Sequence, residues 1–343
     1  MFTITSGKFI EGKFVQLLSL FCGAGGLDLG FHQSGFDLKL AIDWSEAAIN
    51  THKHNFPEST ALQRDLLELG VAGVIELCKE HFSNGEAIGI IGGPPCQGFS
   101  RGNRNSCADD PRNKLATLYI DFISEIQKIF CVNFIVFENV LGIKDRKHIH
   151  TYIKIITQLK EMGFDVYENE LNAVDFGVAQ ERKRVIIIAI KKGISINEFN
   201  LTSTHNFTKP KTVRDVIYGL PEPVFYQRKI LGSQIKYHPN HWTMHPKSRK
   251  FKTPELFLNK TRSFRVIHWD KPSPTIAYGN REIYVHPEKT RRLSIFESML
   301  LQGFPKHFVL KGNFSQQVTQ ISNAVPPPMA REIANSIMKT IRG

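Results

Sequence analysis

Cysteine is scarce in this 343-residue chain: five residues, at 22, 78, 96, 107 and 131, odd in number and without a C-x-x-C pair. That excludes a disulfide framework and a zinc site built on paired thiolates, and no metal is expected. Long apolar runs are missing too. Nothing approaches the roughly 20 consecutive apolar residues of a membrane span, and Met1 to Lys13 holds no signal-peptide core. The expectation is a cytoplasmic protein with no membrane partner. Acidic residues are scarce in one half only. Residues 176–343 hold 28 Lys+Arg against 10 Asp+Glu, a net +18, whereas residues 1–175 hold 16 against 22, a net −6. A basic half joined to a mildly acidic one points to a polyanion partner for the second half alone, with a merely solvated basic surface as the competing reading. Two basic clusters, "HPKSRKFK" (245–252) and "KTRRL" (289–293), favour the first. The aromatics among them (Tyr237, Trp242, Phe251, Phe264, Trp269) suit a nucleic-acid surface or the core of a small domain.

What is present up to about residue 192 is alternation. Apolar, β-rich runs predict strands at Val15–Phe21, Leu38–Asp43, Ala87–Ile91, Asn133–Phe137 and Val185–Ile190, with a sixth near Asp165–Asn172. Between them Leu115, Leu118, Tyr119, Phe122, Ile123, Ile126, Ile129 and Phe130 recur at helical spacing, and a second helix runs from Thr151 to Met162 before Gly163. Strand–helix alternation predicts a doubly wound, Rossmann-like α/β sheet. After Lys192 prolines and short polar pieces take over, and no helix is expected before Ser294–Gln302. Residues 193–311 therefore read as a second, irregular domain, and the first domain, 1–192, is completed by 312–343 with its final helix, Met329 to Ile341.

In open α/β sheets, ligands bind beyond the carboxyl ends of the strands, and the unusual residues cluster there. The first strand exits into Gly23, Gly25 and Gly26, but Asp28 stands where a dinucleotide fingerprint needs its third glycine, which disfavours a nicotinamide dehydrogenase. Asp43, 20 residues after Gly23, suits an acceptor for ribose hydroxyls, Trp44 a face for an adenine ring, and Asp65 an acceptor for an exocyclic amine. Singly, each also reads as a plain turn, a core Trp or a solvated carboxylate. Together they describe a site for a nucleoside without a pyrophosphate, such as S-adenosylmethionine. The third strand exits into "GGPPCQGFS" (92–100). Pro94-Pro95 suits neither helix nor central strand, so Cys96 sits on a stiff elbow before a flexible loop. That window alone leaves Cys96 either structural or reactive. The next strand exits into Glu138-Asn139.

The ordered set "LFCGAGGLDLGF" (20–31), "DW" (43–44), "RDL" (64–66), "GGPPCQGFS", "DPRNKL" (110–115), "FENV" (137–140), "QERKR" (180–184), "RVIHWDKPSPTI" (265–276), "RRLSIFESMLLQGFP" (291–305) and "QISNAVPPPMA" (320–330) spans nearly the whole chain. It resembles the bacterial DNA (cytosine-5)-methyltransferases of restriction–modification systems. Ser19 and Ser322 depart from the family's usual acidic residue and glycine. The resemblance implies a Cys96 thiolate that adds to cytosine carbon 6, and a protonated Glu138 that donates to N3. It also implies Arg184 on the base O2, and Arg182 supporting Cys96 or a phosphate. Phe21, Asp43, Trp44, Asp65, Leu115 and Asn323, with the loop Gly23, Gly25 and Gly26, would hold S-adenosylmethionine, which leaves as S-adenosylhomocysteine. The target base must be flipped out of the duplex, and 97–106 suits a loop that closes over DNA. The expected contacts to double-stranded DNA are Ser100, Arg101, Arg104, Lys247, Arg249, Lys250, Arg291 and Arg292, with 193–311 as the target-recognition region. A monomer is expected, with a cognate restriction endonuclease as its genetic partner. A tRNA cytosine-5-methyltransferase and a DNA-binding regulator that has lost catalysis are the alternatives.

Overall fold

The computed structural model describes residues 15–83, 85–95, 99, 113–203, 209–227, 230, 232–253, 264–275 and 284–342. The chain divides into two compact units, one of Met1–Leu171, Lys183–Thr202 and Ala330–Gly343, the other of Asn172–Arg182 and Ser203–Met329. In chain order the first elements are β1 (Gln16–Leu20), α1 (Gly26–Gln33), β2 (Asp37–Asp43), α2 (Glu46–Asn55), β3 (Thr60–Gln63), α3 (Leu66–His81), β4 (Ala87–Gly92), α4 (Asn113–Ile126), β5 (Cys131–Asn139), α5 (Ile149–Glu161), β6 (Phe164–Asn172), β7 (Gln180–Glu181) and β8 (Lys183–Lys191).

Seven strands form one sheet in the order β3-β2-β1-β4-β5-β8-β6. Strand β1 pairs in parallel with β2 on one side and β4 on the other, β2–β3 and β4–β5 are parallel, and β8 runs antiparallel to β5. The chain thus winds outward from β1 to β3, returns, and winds outward again from β4. Its switch point lies between β1 and β4, where the doubly wound fold expects a ligand. The apolar runs behave as the sequence implies. Ile88, Ile90 and Ile91, Phe134–Phe137 and Val185–Ile190 are fully buried, as strands covered on both faces must be. Helix α5 ends at a left-handed Gly163 (φ 86°).

Four elements of this unit escape the periodicity. Strand β3 has only four residues, and α2 buries Ala47, Ala48, Ile49, Thr51 and His52, too small or polar a set to show an apolar period. Helix α1 carries Gly26 and Gly30, and α3 is kinked at Gly70. Gly30 has a packing reason: a Cβ there would lie 2.4 Å from that of Ala330, in the C-terminal helix Pro327–Arg342.

The second unit is irregular, as its composition implies, but contains an unexpected short helix, Val213–Ile217, closed by a Thr212/Asp215 capping box. Among the described residues its ladders are only two residues long, and side chains do much of the joining. Asn240 bonds both the carbonyl (2.8 Å) and the N–H (2.9 Å) of Leu310, and buried Trp242 donates to Gln317 at 2.8 Å. Trp242 is therefore core. Tyr237, by contrast, is 49% exposed. Among the described residues no helix is long and apolar enough to cross a membrane.

Candidate active site

The exit of β1 is a sharp left-handed turn. Phe21 (φ 56°), Gly23 (φ 55°) and Gly25 (φ 78°) all adopt positive φ, and Phe21 does so without glycine's freedom. What holds the turn is Asp43 at the end of β2. Its carboxylate accepts from the N–H groups of Gly23 and Ser45, each at 2.9 Å. Burial raises the Asp43 carboxyl above its usual range, and the Ser45 and Gly23 N–H groups pull it part of the way back. The neighbouring Trp44 is 67% exposed, which removes the reading of it as a core residue. Asp65 caps α3 and accepts from Leu67 N–H at 2.8 Å. Leu115 lies buried in α4. The residues expected around a nucleoside in this unit thus stand on the exits of β1, β2 and β3 and at the start of α4.

The next two exits converge on one carboxylate. Strands β5 and β8 pair Glu138 with Ile186 and Asn139 with Val185, so Arg184 lies diagonally across from Glu138. The Arg184 Nε is 2.8 Å from Glu138 Oε1. A Cβ on Gly93 would lie 2.8 Å from Glu138 Oε2, so glycine is what lets the end of β4 pass that close. Asn139, fully buried, donates to the Pro94 carbonyl at 3.3 Å and accepts from Val140 N–H at 2.9 Å. It fixes the start of the cysteine elbow to the end of β5. On the other side, Phe99 is fully buried, its ring edge-on to His148 at 4.9 Å. Cys96, Ser100, Arg101 and Arg104 lie outside the described residues. Sequence reasoning marked Asn139 only as a strand exit and missed Phe99. Both are buried anchors, and a single sequence carries no signal that distinguishes an anchor from a neighbour.

Arg182 and Asn323 belong to the second unit. Arg182 is fully buried and donates to the Ser322 carbonyl at 2.8 Å, and Asn323 is exposed at the end of the helix Phe314–Asn323. Of the basic residues expected at DNA, Lys247 and Arg249 are exposed, and Lys250 is half-buried with its Nζ 4.9 Å from the Phe264 ring. Arg291 corrects the expectation. It reaches Glu297 through two 2.9 Å bonds and Glu222 through one of 2.8 Å, with only 4% of its side chain exposed. Burial pushes the Glu297 carboxyl up, but the hydrogen bonds and charge of Arg291 outweigh it and hold Glu297 below its usual range. Arg291 is thus an internal ion-pair partner, not a surface cation. Arg292 is buried as well, 5.0 Å from the Phe264 ring.

A family profile described as C-5 cytosine-specific DNA methylase matches residues 15–339. The chain is 31% identical to a Type II methyltransferase from Methanothermobacter thermautotrophicus, over 96% of this chain and 98% of the relative. It is likewise 31% identical to one from Haemophilus parahaemolyticus, over 97% and 90%. Among solved structures it is similar to an Escherichia coli prophage-encoded protein described as a DNA modification methyltransferase, with TM-score 0.76 and 26% identity over 96% of this chain and 100% of that one. A methyltransferase from Entamoeba histolytica shares the fold, with TM-score 0.66 and 17% identity over 95% and 98%. The chain belongs to the C-5 cytosine-specific DNA methylase family and is accordingly a DNA cytosine-5-methyltransferase.

Proposed function

We propose that this enzyme methylates a cytosine flipped out of a specific duplex sequence through a covalent adduct at Cys96. In this reading it is the monomeric modification enzyme of a restriction–modification system, and a cognate endonuclease reads the same target. The observation that carries the reading is the convergence of two strand exits: Asn139 binds the Pro94 carbonyl of the cysteine elbow, and the adjacent Glu138 lies against Gly93. A nucleophile-bearing elbow and a buried carboxyl belong together in this chemistry.

Cytosine carbon 5 is too weak a nucleophile to take a methyl group directly. When the Cys96 thiolate adds to carbon 6, the electron pair of the 5,6 double bond moves toward N3, where Glu138 donates its proton, and carbon 5 becomes enamine-like. Carbon 5 then takes the methyl group and a base removes the carbon 5 proton; as the 5,6 double bond re-forms, Cys96 leaves as thiolate and the N3 proton returns to Glu138. Arg184, anchored on Glu138, holds the carboxyl in place and meets the base O2. S-adenosylmethionine supplies the electrophilic methyl group when bound, leaving as S-adenosylhomocysteine. The first unit suits it. Asp43 offers carboxylate oxygens, Trp44 an exposed aromatic face, and Gly23 points its missing Cβ into open space. Phe21, Gly25, Gly26, Asp65 and Leu115 complete the set. The second unit, with Lys247, Arg249 and Lys250, reads the target, using phosphate contacts for affinity and groove contacts for sequence.

The test is methyl incorporation into duplex DNA and tRNA, followed by bisulfite sequencing of a treated mixed-sequence plasmid. Methylation confined to one cytosine of one duplex sequence is expected, and methylation of tRNA alone would replace the reading. Cys96→Ser should abolish turnover while S-adenosylhomocysteine and specific DNA still bind. Cys78→Ser should keep activity, since Cys78 is buried and burial pushes its thiol up to about 12.

A further inference from the structure

Cys22 follows β1, Asp28 lies in α1 and His52 in α2, yet one ligand-type atom from each falls within 4.8 Å of the others. Asp28 and His52 are fully buried, and the Cys22 thiol is buried with them. Asp28 Oδ1 accepts the Ser19 hydroxyl at 2.5 Å. Its Oδ2 stands 3.3 Å from His52 Nε2. That contact is not aligned as a hydrogen bond: Asp28 Oδ2 and both His52 ring nitrogens have no hydrogen-bond partner among the described residues. Buried polar atoms left so cost about 1–3 kcal/mol each, and native structures hold few of them.

Thiol sulfur, imidazole nitrogen and carboxylate oxygen together are the donor set of a borderline-soft divalent cation. Ligand distances of about 2.0–2.3 Å place donors on one zinc ion some 3–4 Å apart, so side-chain adjustments of about an ångström would close this cluster. The Ser19 bond to Asp28 is the outer contact that orients a ligating carboxylate. We propose that Cys22, Asp28 and His52 form a binding site for a thiophilic divalent cation of the zinc class, with water completing the coordination. Binding forms the metal–sulfur bond and breaks the thiol S–H bond, and the Cys22 proton goes to solvent. Because Cys22 lies between Phe21 and Gly23, an occupied site ties their turn to α1 and α2. If that turn binds the cofactor as proposed above, metal and S-adenosylhomocysteine alter each other's affinity by the same factor.

The test titrates the full-length, metal-free protein with Zn2+ by calorimetry in the absence of cofactor, and with Co2+ by absorbance. One Zn2+ per chain should bind, weakened at least about tenfold by Cys22→Ser or His52→Gln and by about 10–100-fold by Ser19→Ala. Co2+ should give a thiolate charge-transfer band that Cys22→Ser removes, and Mg2+ should not compete. Zn2+ affinity unchanged by Cys22→Ser, or lost only on Cys96→Ser, would overturn the site. So would equal competition by Mg2+. If His52→Gln fails to fold, the near-isosteric Cys22→Ser decides alone. S-adenosylhomocysteine affinity of the metal-free protein tests the cofactor reading separately, so the two ideas fail independently.

Discussion

Arg184 Nε and Glu138 Oε1 stand 2.8 Å apart on antiparallel strands, with 11% and 10% of their side chains exposed. Removing Arg184 leaves the buried Glu138 carboxyl without its partner, at a cost of about 1–3 kcal/mol. Arg184→Ala should therefore lower stability by that order and abolish activity. Glu138→Gln keeps the shape and a hydrogen-bond donor but cannot transfer a proton to the ring. Its rate should fall by about 10²–10⁴-fold with a smaller loss of DNA binding. A loss under about fivefold at saturating substrates would make Glu138 a structural partner of Arg184 and nothing more.

Trp44 is the most exposed large aromatic beside the β1 turn, and its solvent-facing indole contributes little to folding. Trp44→Ala should leave the thermal midpoint nearly unchanged. It should weaken S-adenosylhomocysteine binding by about 1–3 kcal/mol, by analogy with base–aromatic stacks. Calorimetric titration measures this directly, and an unaltered affinity would remove Trp44 from the cofactor site.

The cations of the second unit should separate into two behaviours. Replacing Lys247, Arg249 and Lys250 with Gln should flatten the salt dependence of duplex binding while leaving the fold and S-adenosylhomocysteine affinity intact. With roughly six phosphate contacts, the wild-type affinity should fall about 10³-fold between 50 and 200 mM salt. Arg291→Gln should instead destabilise the protein by about 3–5 kcal/mol, because the buried Glu297 loses its guanidinium partner. A salt series of binding isotherms, paired with urea melts, distinguishes the two. A folded Arg291→Gln protein with a flattened salt slope would return Arg291 to the DNA surface.

Stability should also fall in mild acid. His238 is buried, and burial pushes its imidazole down to about 4, with its bond to the Phe308 carbonyl opposing the shift. Burial lowers His286 in the same unit. The unfolded chain takes up these protons below about 6.5, whereas folded His238 resists until about 4. The His238 contribution is therefore constant above about pH 6.5, shrinks as pH falls toward 4, and costs at most about 3 kcal/mol. Urea midpoints at pH 7.5 and 5 should show the decline, and His238→Gln should flatten it. Equal pH dependence in both proteins would assign the acid sensitivity to other groups.

Much of the candidate site is legible in the amino-acid sequence. The strands announce themselves because both faces of this sheet are covered, so β4, β5 and β8 are built around the buried runs Ile88–Ile91, Phe134–Phe137 and Val185–Ile190. The glycine turn, Asp43-Trp44, the proline–cysteine elbow and Glu138 are legible because each sits where such a strand stops. Helices α1, α2 and α3 and the strand β3 are not. Their buried faces are small, polar or kinked, and periodicity reads only large apolar side chains.

By itself, the sequence determined the doubly wound fold, the ordered motifs of the family and the division of charge between the halves, since all three are properties of residue order and composition. Tertiary structure alone decided which charged groups lie inside. "KTRRL" and "HPKSRKFK" look alike as strings, yet Arg291 is clamped by Glu297 and Glu222 while Lys247 and Arg249 face solvent. Likewise Cys22, Asp28 and His52 have no motif spacing, and it is the packing of α1 and α2 onto the sheet that brings them within 4.8 Å. Burial and proximity come from the crossing of distant segments, and a linear string does not encode those distances locally.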